Sequence, residues 1–273
     1  MRISPRAASR RSAPRLGYSV QVFFDQAEFD LRSEWGLPGL SRLTPGSDAV
    51  VIVDVLSFST AVDIAVANGA SILPCRRNHD SAARFAAEKR ALLAAGRAAP
   101  GGYSLSPASL RSIPAGTLLV LPSPNGAALS LHAGGVPAFT GCLRNAPAVA
   151  RHVSRLGARI AVIPAGERWD DDTLRPAWED LIGAGAVLSQ LPGKRSPEAE
   201  LAVAAFERFR PNLYQALSDT GSGRELRERG FACDLAIAAE YAVSSAVPFL
   251  AVDRFIDGAA ATQTAPLPPP PKR

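Results

Sequence analysis

Four short apolar runs in this chain end on groups that can do chemistry. Ala49–Val53 runs into Asp54-Val55-Leu56-Ser57-Phe58-Ser59-Thr60, and Leu118–Leu121 runs into Pro122-Ser123-Pro124-Asn125-Gly126. Ala138–Thr140 is followed by Gly141-Cys142-Leu143-Arg144-Asn145, and Ile160–Ile163 by Pro164-Ala165-Gly166-Glu167-Arg168. Ligands of open α/β sheets bind beyond the carboxyl ends of the strands. If the runs are strands of one sheet, their polar ends should meet along one edge. Asp and Glu oxygens hold Mg²⁺, which keeps waters and bridges to phosphate. Free N–H groups at helix starts and an arginine receive the anion. The combination suits a small phosphorylated ligand with a divalent cation.

Each group also has a plainer use. Asp54 can cap a turn, and Ser59 and Thr60 can be ordinary helix N-caps. Ser123-Pro124-Asn125-Gly126 is a strong turn signal by itself. Arg144 can serve a surface ion pair. Glu179 and Asp180 can simply complement the positive end of the helix they open. The three cysteines and three histidines receive no role.

The elements that position these groups alternate. The continuous apolar runs read as strands buried on both faces. Ser19–Phe24, Ile72–Pro74 and Phe249–Val252 read as shorter strands. Helical spacing covers 59–68, 80–95, 125–132, 145–156, 176–191, 198–207, 222–229 and 234–244. Such alternation predicts an α/β fold with a sheet covered on both faces.

Composition excludes several classes. The 273 residues carry 30 Lys+Arg against 25 Asp+Glu, a formal charge of +5. Five arginines lie in residues 1–17, and Lys272 and Arg273 close the chain. Without those seven, 23 basic residues face 25 acidic ones, so the body is weakly acidic and no nucleic-acid partner is expected. No run of about 18 apolar residues occurs, so no membrane partner is expected either. Three cysteines, Cys75, Cys142 and Cys233, are too few and too scattered for a disulfide framework, which fits a reducing cytoplasm. There is no GxxxxGK[ST], no GxGxxG after a strand, no GxSxG elbow, no Cys-x5-Arg loop and no DxD pair at Asp54.

The ordered set of motifs resembles the 2-phosphosulfolactate phosphatase family. It comprises Val51-Ile52-Val53-Asp54-Val55-Leu56 with Ser59-Thr60, then Ser123-Pro124-Asn125-Gly126, then Gly141-Cys142-Leu143-Arg144-Asn145-Ala146. It continues with Ala165-Gly166-Glu167, Arg175-Pro176-Ala177-Trp178-Glu179-Asp180-Leu181-Ile182-Gly183, Gly223-Arg224-Glu225-Leu226 and Gly230-Phe231 with Asp234. The resemblance implies a three-layer α/β/α fold with a mostly parallel or mixed central sheet. It implies one phosphatase-like domain over 18–258, and composition gives a disordered Arg-rich tail (1–17) before it and a Pro-rich disordered tail (259–273) after it. It also implies Mg²⁺-dependent release of phosphate from 2-phosphosulfolactate to give sulfolactate, a step toward coenzyme M in some organisms. Asp54, Glu167 and Asp180 are then the expected catalytic carboxylates, and Asp54, Glu179 and Asp180 the expected Mg²⁺ ligands. Ser59, Thr60, Ser123, Asn125, Gly126 and Arg144 are the expected substrate contacts. Water is the expected nucleophile, with direct attack by Asp54 the alternative, and homo-oligomer formation is left open. Ser57 and Tyr103 stand where members of the family carry arginines. A weaker anion site follows, and with it the rival expectation of a binding protein that does not turn its ligand over.

Overall fold

The computed structural model describes residues 24–76, 79–99 and 101–261. The Arg-rich segment 1–17, most of the strand expected at 19–24, and the Pro-rich run from 262 lie outside the described residues.

Eleven strands occur among the described residues: β1 (Leu31–Ser33), β2 (Ala49–Val53), β3 (Ser71–Cys75), β4 (Leu92–Leu93), β5 (Leu118–Pro122), β6 (Ala138–Thr140), β7 (Ile160–Pro164), β8 (Glu167–Arg168), β9 (Leu174–Arg175), β10 (Pro248–Ala251) and β11 (Arg254–Asp257). The helices between them are α1 (Gly36–Leu43), α2 (Phe58–Ala67), α3 (His79–Lys89), α4 (Gly126–Ser130), α5 (Ala146–Val153), α6 (Trp178–Leu188), α7 (Pro197–Phe209), α8 (Leu213–Asp219), α9 (Gly221–Glu228) and α10 (Ala232–Ala238). A helical turn over Gly258–Ala261 continues from β11, so these residues do not belong to an extended tail.

The apolar runs form strands because both of their faces are covered. Every residue of β2 is fully buried. Ala49, Val51 and Val53 join a core with Val149 of α5 and Ala184 and Val187 of α6. Val50 and Ile52 point the other way, into a core with Leu40 and Leu43 of α1 and Leu129 of α4. This period-two split places helices on both sides of the sheet, giving three layers. Each fully buried Val or Ile contributes about 1.5–3 kcal/mol.

Nine strands form one mixed sheet in the order β1-β7-β2-β6-β10-β11-β3-β5-β4, and β8 and β9 make a separate hairpin. β1, β7, β2 and β6 are parallel, as are β3, β5 and β4. The hairpin β10–β11 lies between these halves and is antiparallel to its neighbours on both sides. Three reversals separate β6 from β3, so the two parallel halves run in opposite senses. In a flat sheet β2 and β5 would lie about 24 Å apart with their carboxyl ends on opposite edges. Yet Gly126, just after β5, donates its N–H to Asp54, just after β2, at 2.8 Å. The sheet is therefore far from flat between β2 and β5, and the carboxyl ends of these two strands meet. The strand ends do converge, but across a seam between two half-sheets and not along one edge.

Candidate active site

Asp54 leaves β2 at the seam and is buried. Its main chain is locked first: its N–H donates to Ser59 Oγ at 2.9 Å, and its carbonyl accepts the Ser59 N–H at 2.7 Å. The carboxylate then takes one donor on each oxygen. Oδ1 accepts the Phe58 N–H at 3.2 Å and Oδ2 the Gly126 N–H at 2.8 Å. Gly126 has no side chain because there is no room for one. A Cβ there would stand 2.4 Å from Phe58 Cδ1 and 2.8 Å from Asp54 Oδ2. Burial raises the Asp54 pKa; the two N–H donors and the Ser123 hydroxyl oppose that rise, and the charge of Glu179 adds to it.

Three more carboxylates reach the same place. Asp180, in the first turn of α6, accepts the Val55 N–H at 2.7 Å on Oδ1 and the Gly166 N–H at 2.9 Å on Oδ2. It thereby ties the ends of β2 and β7 together. Its neighbour Glu179 is also buried, and Oε2 of Glu179 has no hydrogen-bond partner. Glu167, opening the β8–β9 hairpin, accepts from Asn125 Nδ2 at 2.8 Å. Burial comes first in holding Asp180 well above the ordinary carboxylate range, and the charges of Asp54, Glu179 and Glu167 reinforce it. Burial, reinforced by Asp54 and Glu179, pushes Glu167 up to about 7. Four acids thus share one poorly solvated site, and Asp54, Glu167 and Asp180 hold their protons more tightly for it.

The arginines near this cluster are not the expected one. Arg97 donates from Nη2 to Ser57 Oγ at 3.0 Å, forms an ion pair with fully buried Asp234, and lies close enough for the Asp54 charge to act on it. The cation that Ser57 was expected to lack is therefore delivered to that same serine from another loop. Arg97 follows β4, so the strand-end rule covers it. It escaped because Leu92 and Leu93 read as the end of a helix over 80–95. On the other side, Arg175 acts on Glu167 and donates to Ser222 Oγ at 3.1 Å.

Arg144 is placed differently from its expected ligand role. Its Nε donates to fully buried Asp63 at 2.9 Å, and its Nη1 pairs with Glu240 as an ion pair without hydrogen-bond alignment. Asp63 needs that cation, since burial raises its pKa and only Ser244 and Arg144 oppose the rise. Ser59 and Thr60 are likewise turned inward. Both are fully buried; Ser59 Oγ sits 2.5 Å from Thr140 Oγ1, and Thr60 Oγ1 donates to the Val55 carbonyl at 2.8 Å. They brace the Asp54 turn instead of facing a ligand. The Gly126 N–H, expected to hold a phosphoryl oxygen, orients Asp54 instead. Ser123 lies beside Asp54 and accepts the Asn125 N–H at 3.3 Å. Asp54, Ser123, Asn125, Gly126, Glu167, Glu179 and Asp180 are therefore brought together, and Ser59, Thr60 and Arg144 are not among the groups facing the cluster.

A cleft of about 610 Å³ opens beside the cluster; Asn125 and Glu167 line it, with Arg76, His132, Arg168 and Asp172. Among the described residues no three Asp, Glu, His or Cys side chains are arranged to enclose a metal ion. An all-protein cage is thus absent. Mg²⁺ does not require one, because it binds through one or two carboxylates and completes its shell with water and phosphate. The orphaned Glu179 oxygen and the surplus of negative charge fit that mode. Among the described residues, no helix is long and apolar enough to cross a membrane.

Residues 39–252 match the family model described as 2-phosphosulpholactate phosphatase. Three similar proteins illustrate the relation. A probable 2-phosphosulfolactate phosphatase of Thermus thermophilus is 30% identical over 225 residues, covering 78% of this chain and 92% of the relative. The 2-phosphosulfolactate phosphatase of Methanothermobacter thermautotrophicus is 27% identical over 207 residues, covering 74% and 87%. A probable 2-phosphosulfolactate phosphatase of Pseudothermotoga lettingae is 25% identical over 211 residues, covering 76% and 91%.

Proposed function

Because the chain belongs to the 2-phosphosulpholactate phosphatase family, we propose that it hydrolyses 2-phosphosulfolactate to sulfolactate and inorganic phosphate with Mg²⁺. The observation that carries this reading is the meeting of Asp54, Glu167, Glu179 and Asp180 beside a cleft, with Asn125 at the boundary. Glu179 and Asp180, with Asp54 beside them, would hold Mg²⁺. The ion would neutralise charge on the phosphoryl oxygens and acidify a bound water.

The side chains divide the remaining work. Asn125 has a second Nδ2 hydrogen for a phosphoryl oxygen while the first holds Glu167. Arg97 supplies positive charge on the Asp54 side. Glu167, titrating at about 7, suits a proton shuttle at neutral pH. It takes a proton from the attacking water as the new P–O bond forms, and returns it to the alcohol oxygen as the old P–O bond breaks. The Gly126 N–H and the Phe58 N–H fix the Asp54 carboxylate, so its position needs no reorganisation during the reaction. A purely binding role rested on the missing cations at Ser57 and Tyr103; Arg97 at Ser57 removes the first of these grounds.

The test is phosphate release from 2-phosphosulfolactate by the purified chain, with Mg²⁺ and with a chelator, beside Asp54→Asn. The expected result is Mg²⁺-dependent turnover that falls about a hundredfold or more in D54N. Absence of turnover on this ester and on other phosphorylated hydroxy acids overturns the reading.

A further inference from the structure

The cleft is also lined by a cation that no part of the proposed chemistry uses. Arg76 follows β3 directly, at the carboxyl end of the second half-sheet. Its described side-chain partner is His132. Arg76 Nη2 lies 2.6 Å from Nε2 and 3.2 Å from Nδ1 of the ring, and Nδ1 lies 2.7 Å from the Ala128 carbonyl. The ring thus links the guanidinium to the helical turn that carries Asn125 and Ala128. Among the residues whose side chains are described, 24–76, 81–99 and 101–259, no Asp or Glu forms an ion pair with Arg76. The neighbouring Arg168 differs, since Asp172 binds it through a carboxylate oxygen at 2.9 Å and a carbonyl at 3.2 Å.

The spacing along the chain places this cation opposite the reacting end. Asn125, Ala128 and His132 all line the cleft, and their separations of three and four keep them on one face of the helical run. That run rises about 10 Å from Asn125 to His132. In 2-phosphosulfolactate the phosphate on the middle carbon and the acid at one end, each hydrogen-bonded, span about the same distance from donor to donor. We propose that Arg76, held by His132, is the specificity residue that binds the substrate's second acidic group, its sulfonate or carboxylate, while the phosphate lies at Asn125 and Glu167. This rests on the phosphatase reading and adds the side that chooses among phosphate esters.

The test compares two esters on wild type, Arg76→Gln and Arg76→Lys. One is 2-phosphosulfolactate; the other is 4-nitrophenyl phosphate, which has no second acid. Arg76→Gln is expected to raise KM for 2-phosphosulfolactate about tenfold to a hundredfold. Its kcat stays within about twofold, KM for 4-nitrophenyl phosphate is unchanged, and Arg76→Lys recovers part of the loss. Equal KM changes on both esters, or none, overturn the proposal. Calorimetric binding of the product sulfolactate separates this from failure of the phosphatase reading. If wild type turns over neither ester, that reading falls and Arg76 is judged on sulfolactate alone. Binding that weakens in R76Q upholds its role, and binding that is absent or unchanged overturns it.

Discussion

Replacing Gly126 with alanine tests how tightly the Asp54 carboxylate is framed. The new methyl carbon would stand 2.4 Å from Cδ1 and 2.8 Å from Cγ of Phe58, and 2.8 Å from Asp54 Oδ2. Unstrained carbon contacts lie at about 3.5–4.0 Å, so something must yield by about 1 Å. The Phe58 ring has little freedom: it is fully buried and packs edge-on against Phe255 with centroids 6.0 Å apart. Asp54 is the softer neighbour, although the Gly126 N–H that holds it would move with the methyl group. Overpacking of this kind costs about 1–3 kcal/mol. For a chain of this size that lowers Tm by about 2–12 °C. A catalytic group displaced by about 1 Å loses about a hundredfold in rate. Gly134→Ala is the control, because nothing lies within 4 Å of a Cβ there; it should leave Tm and kcat as in the wild type. Calorimetry with phosphate-release kinetics reads both quantities. A Gly126→Ala protein with wild-type Tm and kcat refutes the framing. One that melts early but keeps its kcat shows that the strain is relieved away from Asp54.

Two further outcomes follow from charge. Glu167 releases its proton near 4.5 when unfolded and at about 7 when folded, so the folded form holds the proton more tightly between these values. That stabilisation is complete below about pH 4.5 and is lost as pH rises through 7, a change of about 3 kcal/mol. The raised Asp54 and Asp180 act in the same direction. Chelator-treated protein should therefore melt several degrees lower at pH 8 than at pH 5, and Mg²⁺ should restore Tm at pH 8 far more than at pH 5. A melt at pH 8 that ignores Mg²⁺ counts against a metal held by these carboxylates. Arg144→Met should leave buried Asp63 without its cation, losing about 3–5 kcal/mol of stability, while KM measured well below the melting temperature stays within about twofold. A selective rise in KM would return Arg144 to the ligand site.

Much of the site was legible because its carboxylates and amide stand where apolar runs stop. Burial on both faces gives β2, β5 and β7 uninterrupted apolar residues, and their ends name Asp54, Asn125 and Glu167 directly. Glu179 and Asp180 were visible as the acidic first turn of α6. What the sequence hides are relations across the chain. Arg144 looked like a free cation because Asp63, its buried partner, lies 81 residues earlier. Ser59 and Thr60 sit at a helix start as expected, but the direction of a hydroxyl depends on Thr140 and the Val55 carbonyl, which periodicity does not report. Arg97 follows a strand of only two residues, too short for an alternating pattern. The reversal between half-sheets was not legible either. It depends on β11, which no pattern marked, and on single-residue pairings at Phe139 and Ile72.

That reversal also bears on the order in which the protein can become active. The half-sheets are joined by β10 and β11, and these are the last strands among the described residues. A ribosome releases Asp54 first, then Arg76 and Asn125 of the second half, then Glu167, Glu179 and Asp180, all before it releases the hairpin that joins the halves. The cleft is therefore assembled only after residues 248–257 have emerged. A chain cut short of residue 248 would hold every proposed catalytic residue and still lack the join that brings them face to face.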